Sequence, residues 1–252
     1  MIDLKKSNYM ESDEKIAEEA KNHIHILSKS KELYRSFASD EIYRPFGEPQ
    51  TFFMAGSPGA GKTELSRRFV EENIKKISNP IVRIDADEIR KLCPGYNGSN
   101  SHIFQRAVSL GVDRLYDYAL KKKFNVLLDS TFSNYEKAES NIRRAIEKGR
   151  EVYIFYIYQE PIVAWEFTQK REKLEGRRIT AEVFSTQFIL AKENIKKVME
   201  IFKGKIKLTV IKKDYNNNVE KTWMNVSGID NYIKFDYTSE SLCELIKNVK
   251  IE

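Results

Sequence analysis

From Ser12 to Phe37 the apolar residues Ile16, Ala20, Ile24, Leu27, Tyr34 and Phe37 recur at helical spacing. This pattern predicts one long or two short amphipathic helices. Pro45, Gly47 and Pro49 then break the chain, and beyond them the pattern changes. Short apolar runs at Thr51 to Ala55, Ile81 to Ile84, Val126 to Asp129, Val152 to Tyr158 and Ile206 to Lys212 are strand-sized. The stretches between them are helical. In Glu64 to Ile77, for example, Leu65, Phe69, Val70 and Ile74 share one face. Such alternation predicts an α/β fold, a mainly parallel sheet flanked by helices, whose ligands sit beyond the carboxyl ends of the strands. The tail differs: the segment around Asn216 to Asn218 reads as a hairpin turn between strands, and Ser239 to Val249 as a closing helix. No long linker, repeat or low-complexity tract divides the chain, so the expected organisation is an N-terminal helical segment over residues 1–48 packed on one domain over residues 49–252.

Four strand ends carry candidate chemistry. The first run leads into Gly56, Ser57, Pro58, Gly59, Ala60, Gly61, Lys62 and Thr63, a full match to the phosphate-binding loop pattern. Its glycines allow turns that side-chain-bearing residues resist, so that successive amides can point at phosphate oxygens near a helix N-terminus. Lys62 adds a mobile positive charge, and the Thr63 hydroxyl stands where such loops ligate Mg²⁺. A strand before the loop and an amphipathic helix after it complete the context of a P-loop kinase-type fold. ATP and Mg²⁺ are the cofactors expected.

After the second run, Asp87 is a candidate general base for a hydroxyl attacking the γ-phosphorus, although Asp85 or Asp87 could equally cap the helix starting at Glu88. Asp129, delivered by the third run, suits the acid that holds Mg²⁺ through its water shell. Gln159 ends the fourth. Farther on, Arg171, Arg177 and Arg178 lie on and just after a helix predicted over Ile162 to Leu174, with another helix opening after them. That order suits a phosphoryl-transfer lid whose guanidinium groups offset charge on the transferring oxygens, or else an exposed basic loop.

Together the run GSPGAGKTEL, the IDADEIR segment closing on CPGY, the LLDST strand end and the pair Arg171 and Arg178 resemble the zeta toxin family over about Gln50 to Phe202. The resemblance implies a bacterial P-loop phosphotransferase of a toxin–antitoxin system that phosphorylates the 3′-hydroxyl of the sugar in UDP-N-acetylglucosamine. It implies Lys62 and Thr63 as nucleotide and Mg²⁺ residues, Asp87 as base, and Arg171 and Arg178 as the γ-phosphate clamp. Thr131 and Asp113 then become contacts to a nucleotide-sugar substrate. Asp113 stands where the family has a glutamate, and Ser133 where some members have an arginine. A small helical antitoxin is the implied partner, and some relatives carry a comparable helix in the same chain. The apolar stripe of Ser12 to Phe37 favours permanent burial over inhibition, with Glu14, Glu18 and Glu19 the acids an inhibitor would present.

Composition narrows this picture little. The chain has 252 residues, with 43 Lys and Arg against 37 Asp and Glu, a formal charge of +6 and a pI near 9.0. Groups such as Lys121 to Lys123 read as solvated helix ends, so a nucleic-acid partner is not expected. No apolar run is long enough for a membrane span and the N-terminus lacks a signal-peptide core, which points to the cytosol. Cys93 and Cys243 form no metal or disulfide pattern, and His23, His25 and His102 no ligand set. Kinases of other hydroxyls, such as a polynucleotide 5′-end or an antibiotic, also place an Asp after the second strand and stay open as alternatives. A nucleotide-gated switch is a weaker one, because Ile211 to Asp214 lacks the residue that would begin a guanine signature.

Overall fold

The computed structural model describes residues 2–77, 80–176 and 178–249. Arg177 lies outside them, as does the side chain of Ile74. In chain order the elements are α1 (Ile2–Lys29), α2 (Glu32–Ala38), β1 (Gln50–Ala55), α3 (Lys62–Ile77), β2 (Ile81–Asp85), α4 (Ala86–Arg90), α5 (Gln105–Lys121) and β3 (Asn125–Asp129). They continue with α6 (Tyr135–Glu147), β4 (Glu151–Tyr158), α7 (Pro161–Glu175), α8 (Ala181–Ile201), β5 (Ile206–Lys213), β6 (Val219–Val226) and α9 (Ser239–Asn248).

The strands form one sheet in the order β2-β3-β1-β4-β5-β6, parallel except for β6, which returns antiparallel to β5. β1 therefore lies inside the sheet, with the loop at its carboxyl end flanked by the ends of β3 and β4. Register aligns those ends: Asp129 pairs with Met54 on one side and with Asp85 on the other. The order of strands thus brings three acid- or loop-bearing termini to one level.

Strand alternation divides the core into two layers. Phe53 and Ala55 point to the larger one, packed with side chains from α1, α2, α5, α6, α8 and α9. Phe52 and Met54 point to the other, covered by Leu65, Phe69 and Val70 of α3, where Phe52, Phe69 and Phe155 form an aromatic cluster with ring centroids 5.0 to 5.9 Å apart.

The N-terminal stripe forms two helices, divided where Lys31 takes a left-handed φ of 66°. Ala20 and Ile24 of α1 and Leu33 and Ala38 of α2 are fully buried, with Ile16, Leu27, Tyr34 and Phe37 packed around them. α1 runs along α5. Gly111 of α5 makes room for α4, since a Cβ there would come within 2.7 Å of an Ile89 methyl. His102 lies in the turn before α5. Cys93 is buried and both cysteines are free. No helix among the described residues is long and apolar enough to cross a membrane.

Candidate active site

The loop after β1 is shaped by its glycines. Gly56, Gly59 and Gly61 have φ of 141°, 72° and 80°, conformations that side-chain-bearing residues resist. Each is also pressed by a neighbour. An added Cβ would lie 2.3 Å from the Ile157 carbonyl oxygen at Gly56, 2.0 Å from that of Ala164 at Gly59, and 2.4 Å from Asn217 Oδ1 at Gly61. The loop is thus seated between the end of β4, helix α7 and the β5–β6 turn. The Gly56 amide donates to the Thr131 carbonyl at 3.2 Å, tying the loop to the end of β3.

Lys62 opens α3, and its Nζ donates to the Ser57 carbonyl at 2.6 Å, folded over the loop. Ser57 Oγ is buried without a hydrogen-bond partner. Buried polar atoms are nearly always satisfied, so an orphan hydroxyl inside a ring of glycine-permitted turns fits a loop built for phosphate oxygens.

Ser66, one turn into α3, donates its hydroxyl proton to Asp129 Oδ2 at 2.7 Å, with the Thr63 carbonyl 3.0 Å from the same oxygen. It thereby holds the strand-end acid beside the first turn of the helix. Arg83, in the middle of β2, is the hub of this cluster. Its guanidinium reaches Asp85 at 2.6 Å, Asp129 at 2.7 Å and Glu88 at 2.7 Å, while its Nε donates to Ser66 at 2.8 Å. Burial opposes the Arg83 charge, but the surrounding carboxylates outweigh it and raise its pKa. Asp85 moves the other way for a carboxylate: burial first, then the nearby Asp129, pushes its pKa up against the pull of Arg83. One buried cation faces Asp85, Asp129 and the half-exposed Glu88, so the cluster carries surplus negative charge beside Thr63. No group of three or more His, Cys, Asp or Glu side chains among the described residues forms a ready metal cage. Mg²⁺ asks for less, since it keeps waters and takes one or two carboxylates beside substrate phosphates. A hydroxyl at Thr63 and an acid at Asp129, whose hydrogen bonds both fall on Oδ2, meet that demand.

The alternative of a capping role is resolved at α4. Asp85 is the N-cap, accepting from the Asp87 amide at 2.8 Å. Asp87 sits inside the first turn with its side chain 25% exposed. Its Oδ1 takes a short hydrogen bond from Arg90 and its Oδ2 lies 3.7 Å from Arg171 of α7. The fold thus brings together Asp87 and Arg171, which the sequence singles out separately.

Other expected residues are distributed less simply. The Arg178 side chain is 76% exposed, 3.9 Å from Glu172. The Asp113 side chain is 48% exposed on α5 and faces Arg144 of α6 at 3.8 Å. Thr131 and Ser133 share a 2.8 Å hydrogen bond between their hydroxyls. Gln159 turns out to be structural: it is fully buried, donates to the Asp214 carbonyl at 2.7 Å and accepts from the Glu160 amide at 2.8 Å, joining the β5–β6 turn to the start of α7. Asp214 itself organises that turn by accepting from the Asn216 and Asn218 amides.

Arg83, Ser66, Arg90 and Asn217 escaped the sequence reading. Arg83 left a trace, a charge inside an apolar run two residues before an acid. Asn217 left none, because only folding brings the hairpin turn against the loop.

Comparison with known proteins agrees with this geometry. A family model described as Zeta toxin matches residues 35–223, well over half of the chain, and so takes in β5 and most of β6 as well as the span from Gln50 to Phe202. Among solved structures, one from the PezAT chromosomal toxin–antitoxin system of Streptococcus pneumoniae superposes with a TM-score of 0.63 at 16% identity, over 90% of this chain and 93% of the other. The AvrRxo1-ORF1:-ORF2 complex with ATP gives 0.53 at 19% identity over 95% and 73%, and the Pnkp1/Rnl/Hen1 RNA repair complex 0.50 at 14% over 81% and 56%. These likenesses concern the fold. A curated relative, the ATP-dependent protease ATPase subunit HslU1 of Trypanosoma brucei brucei (strain 927/4 GUTat10.1), is 25% identical over 194 residues, 73% of this chain, which spans only 38% of that protein. With a family match over residues 35–223, the chain belongs to the zeta toxin family.

Proposed function

We propose that this kinase transfers the γ-phosphoryl group of ATP to a sugar hydroxyl of UDP-N-acetylglucosamine or a related nucleotide. The observation that carries the reading is the disposition of Asp87: relieved of capping by Asp85, partly exposed, and facing Arg171 of the lid helix. A carboxylate in that place accepts the hydroxyl proton as the new oxygen–phosphorus bond forms and the bond from phosphorus to the β,γ-bridging oxygen breaks, leaving ADP. The loop amides and Lys62 bind the β- and γ-phosphates. Arg171 and Arg178 offset charge on the transferring oxygens, Arg178 by swinging in from its exposed place between α7 and α8. Thr63 and Asp129 would hold Mg²⁺, whose charge neutralises the terminal phosphates. Asp113 and Thr131 contact the nucleotide sugar. A small antitoxin is the proposed protein partner, by likeness to the toxin–antitoxin complexes of similar fold, and residues 1–48 serve as a packed support for the kinase domain.

The test is a coupled ADP-release assay with UDP-N-acetylglucosamine, followed by mass spectrometry of the product. Stimulated ADP release and one added phosphate on the sugar are expected. Stimulation by an oligonucleotide 5′-hydroxyl in place of the sugar nucleotide would move the acceptor to another class while leaving the kinase assignment intact.

A further inference from the structure

We infer that Arg90 is a positioning residue for Asp87, an inference that rests on Asp87 acting as the base. The Arg90 side chain is only 6% exposed, and its Nη1 donates to Asp87 Oδ1 one helical turn away. Its Nε is buried and has no hydrogen-bond partner. α4 spans only Ala86–Arg90, and within it Asp85 holds the Asp87 amide while Arg90 holds the carboxylate.

Stability alone gives a poor reason for this arrangement. Burying a guanidinium costs several kcal/mol that a single ion pair barely offsets, and an apolar residue in the same space is often as stable or more so. The unsatisfied Nε adds a further cost. Costs of this kind, concentrated on one side chain next to a reactive group, mark a functional constraint.

The constraint follows from what the other partner has to do. In this structure Asp87 Oδ2 faces Arg171 at 3.7 Å, but Arg171 is the residue assigned to the phosphate. Once that guanidinium turns to the γ-phosphoryl oxygens, it no longer steadies the acid. Asp85, close enough to repel Asp87, and the incoming phosphates both push the carboxylate away. Arg90 stays, because it belongs to the same helix and is walled in by the core. It pins Oδ1 and leaves Oδ2 turned to the acceptor hydroxyl. Phosphoryl transfer depends mostly on positioning, and a displacement of about 1 Å costs on the order of 10²-fold in rate.

The experiment is a double-mutant cycle: Arg90→Gln and Arg90→Lys, each alone and with Asp87→Asn, measured in the full chain. Three readouts are taken: phosphorylation of UDP-N-acetylglucosamine, basal ATP hydrolysis, which needs no sugar, and thermal melting. Arg90→Gln is expected to lower kcat about 10- to 100-fold with KM for ATP unchanged within twofold. Arg90→Lys should recover part of the loss. Neither change should lower the residual rate of Asp87→Asn further. Equal losses with and without Asp87, or an unchanged kcat in Arg90→Gln, would overturn the inference. If Arg90→Gln does not fold, Arg90→Lys decides by the same coupling. Should the sugar nucleotide not be phosphorylated while Asp87→Asn still slows hydrolysis, the acceptor is wrong and the cycle is read on hydrolysis. If Asp87→Asn leaves both rates intact, Asp87 is no base and the positioning role falls with it.

Discussion

The nucleotide half and the acceptor half of the site are built by different means. On the nucleotide side the backbone is the recognition element: three glycines in left-handed conformations, each with another part of the fold closer than a Cβ could tolerate. On the proposed acceptor side, side chains stand in pairs: Asp87 of α4 with Arg171 of α7, Asp113 of α5 with Arg144 of α6, and Thr131 with Ser133 within the loop after β3. A backbone cradle is local, rigid and intolerant of substitution. Side-chain pairs drawn from several helices are adjustable, because a rotamer change or a small helix shift re-aims them.

The largest effect should come from Lys62→Ala, the one mobile charge of the cradle. Transfer is expected to fall by at least ~10³-fold, because loop amides alone cannot neutralise the charge developing between the β- and γ-phosphates. Single-turnover assays at saturating ATP separate this loss from weaker binding. A variant retaining a tenth of the normal rate would mean that the cradle does not depend on its lysine.

Asp87→Asn tests the acceptor half with a smaller but still large loss, on the order of 10²- to 10⁴-fold in kcat, while ATP affinity measured by titration stays nearly constant. Asp85 keeps the cap, but the variant leaves the buried Arg90 guanidinium without its charged partner, so a lowered melting temperature is expected beside the loss of turnover. A variant that melts early with normal turnover would return Asp87 to a structural role.

Next in size is a contrast within the cradle. At Gly59 an alanine Cβ meets the Ala164 carbonyl, which is backbone of α7 and cannot rotate away; at Gly61 it meets the carboxamide of Asn217, a side chain that can. Both positions have positive φ. Gly59→Ala should therefore cost the fold about 1–3 kcal/mol, roughly 2–4 °C of melting temperature per kcal/mol for a chain of this size, and Gly61→Ala less. Equal losses would indicate that φ strain rather than contact with α7 sets the requirement for glycine.

That contrast also explains what the sequence discloses. Spacing of Gly56, Gly59, Gly61, Lys62 and Thr63 is a one-dimensional record of backbone geometry, and alternation of apolar runs records the parallel sheet, so donor site and architecture are legible directly. Asp87 was legible as one of two acids but not separable from a cap, since that choice depends on which carboxylate reaches the Asp87 amide. Arg83 binds acids from β2, α4 and β3, and Asn217 lies 156 residues from Gly61 along the chain, so their roles arise from tertiary packing that no local pattern contains. Gln159 was misjudged for the same reason. A polar residue at a strand end can face a ligand or satisfy buried backbone, and only the fold shows that it ties Glu160 to Asp214.

The smallest effect is expected at Asp113, the proposed acceptor contact that is one methylene shorter than the glutamate the resemblance implies there. In this structure the shorter acid faces Arg144, which also pairs with Asp117 of the same helix and holds a hydrogen bond to Asn141. Asp113→Glu lengthens the reach without altering charge. If the proposed sugar-nucleotide contact is limited by distance, KM for UDP-N-acetylglucosamine should fall about 3- to 10-fold with kcat unchanged, the worth of one hydrogen bond. If KM does not move, competition from Arg144 rather than length is the limit. Pairing the change with Arg144→Gln then discriminates, since release of the acid should lower KM only where the contact exists. A flat response in both variants would remove Asp113 from the acceptor site and leave Thr131 and Ser133 to define it.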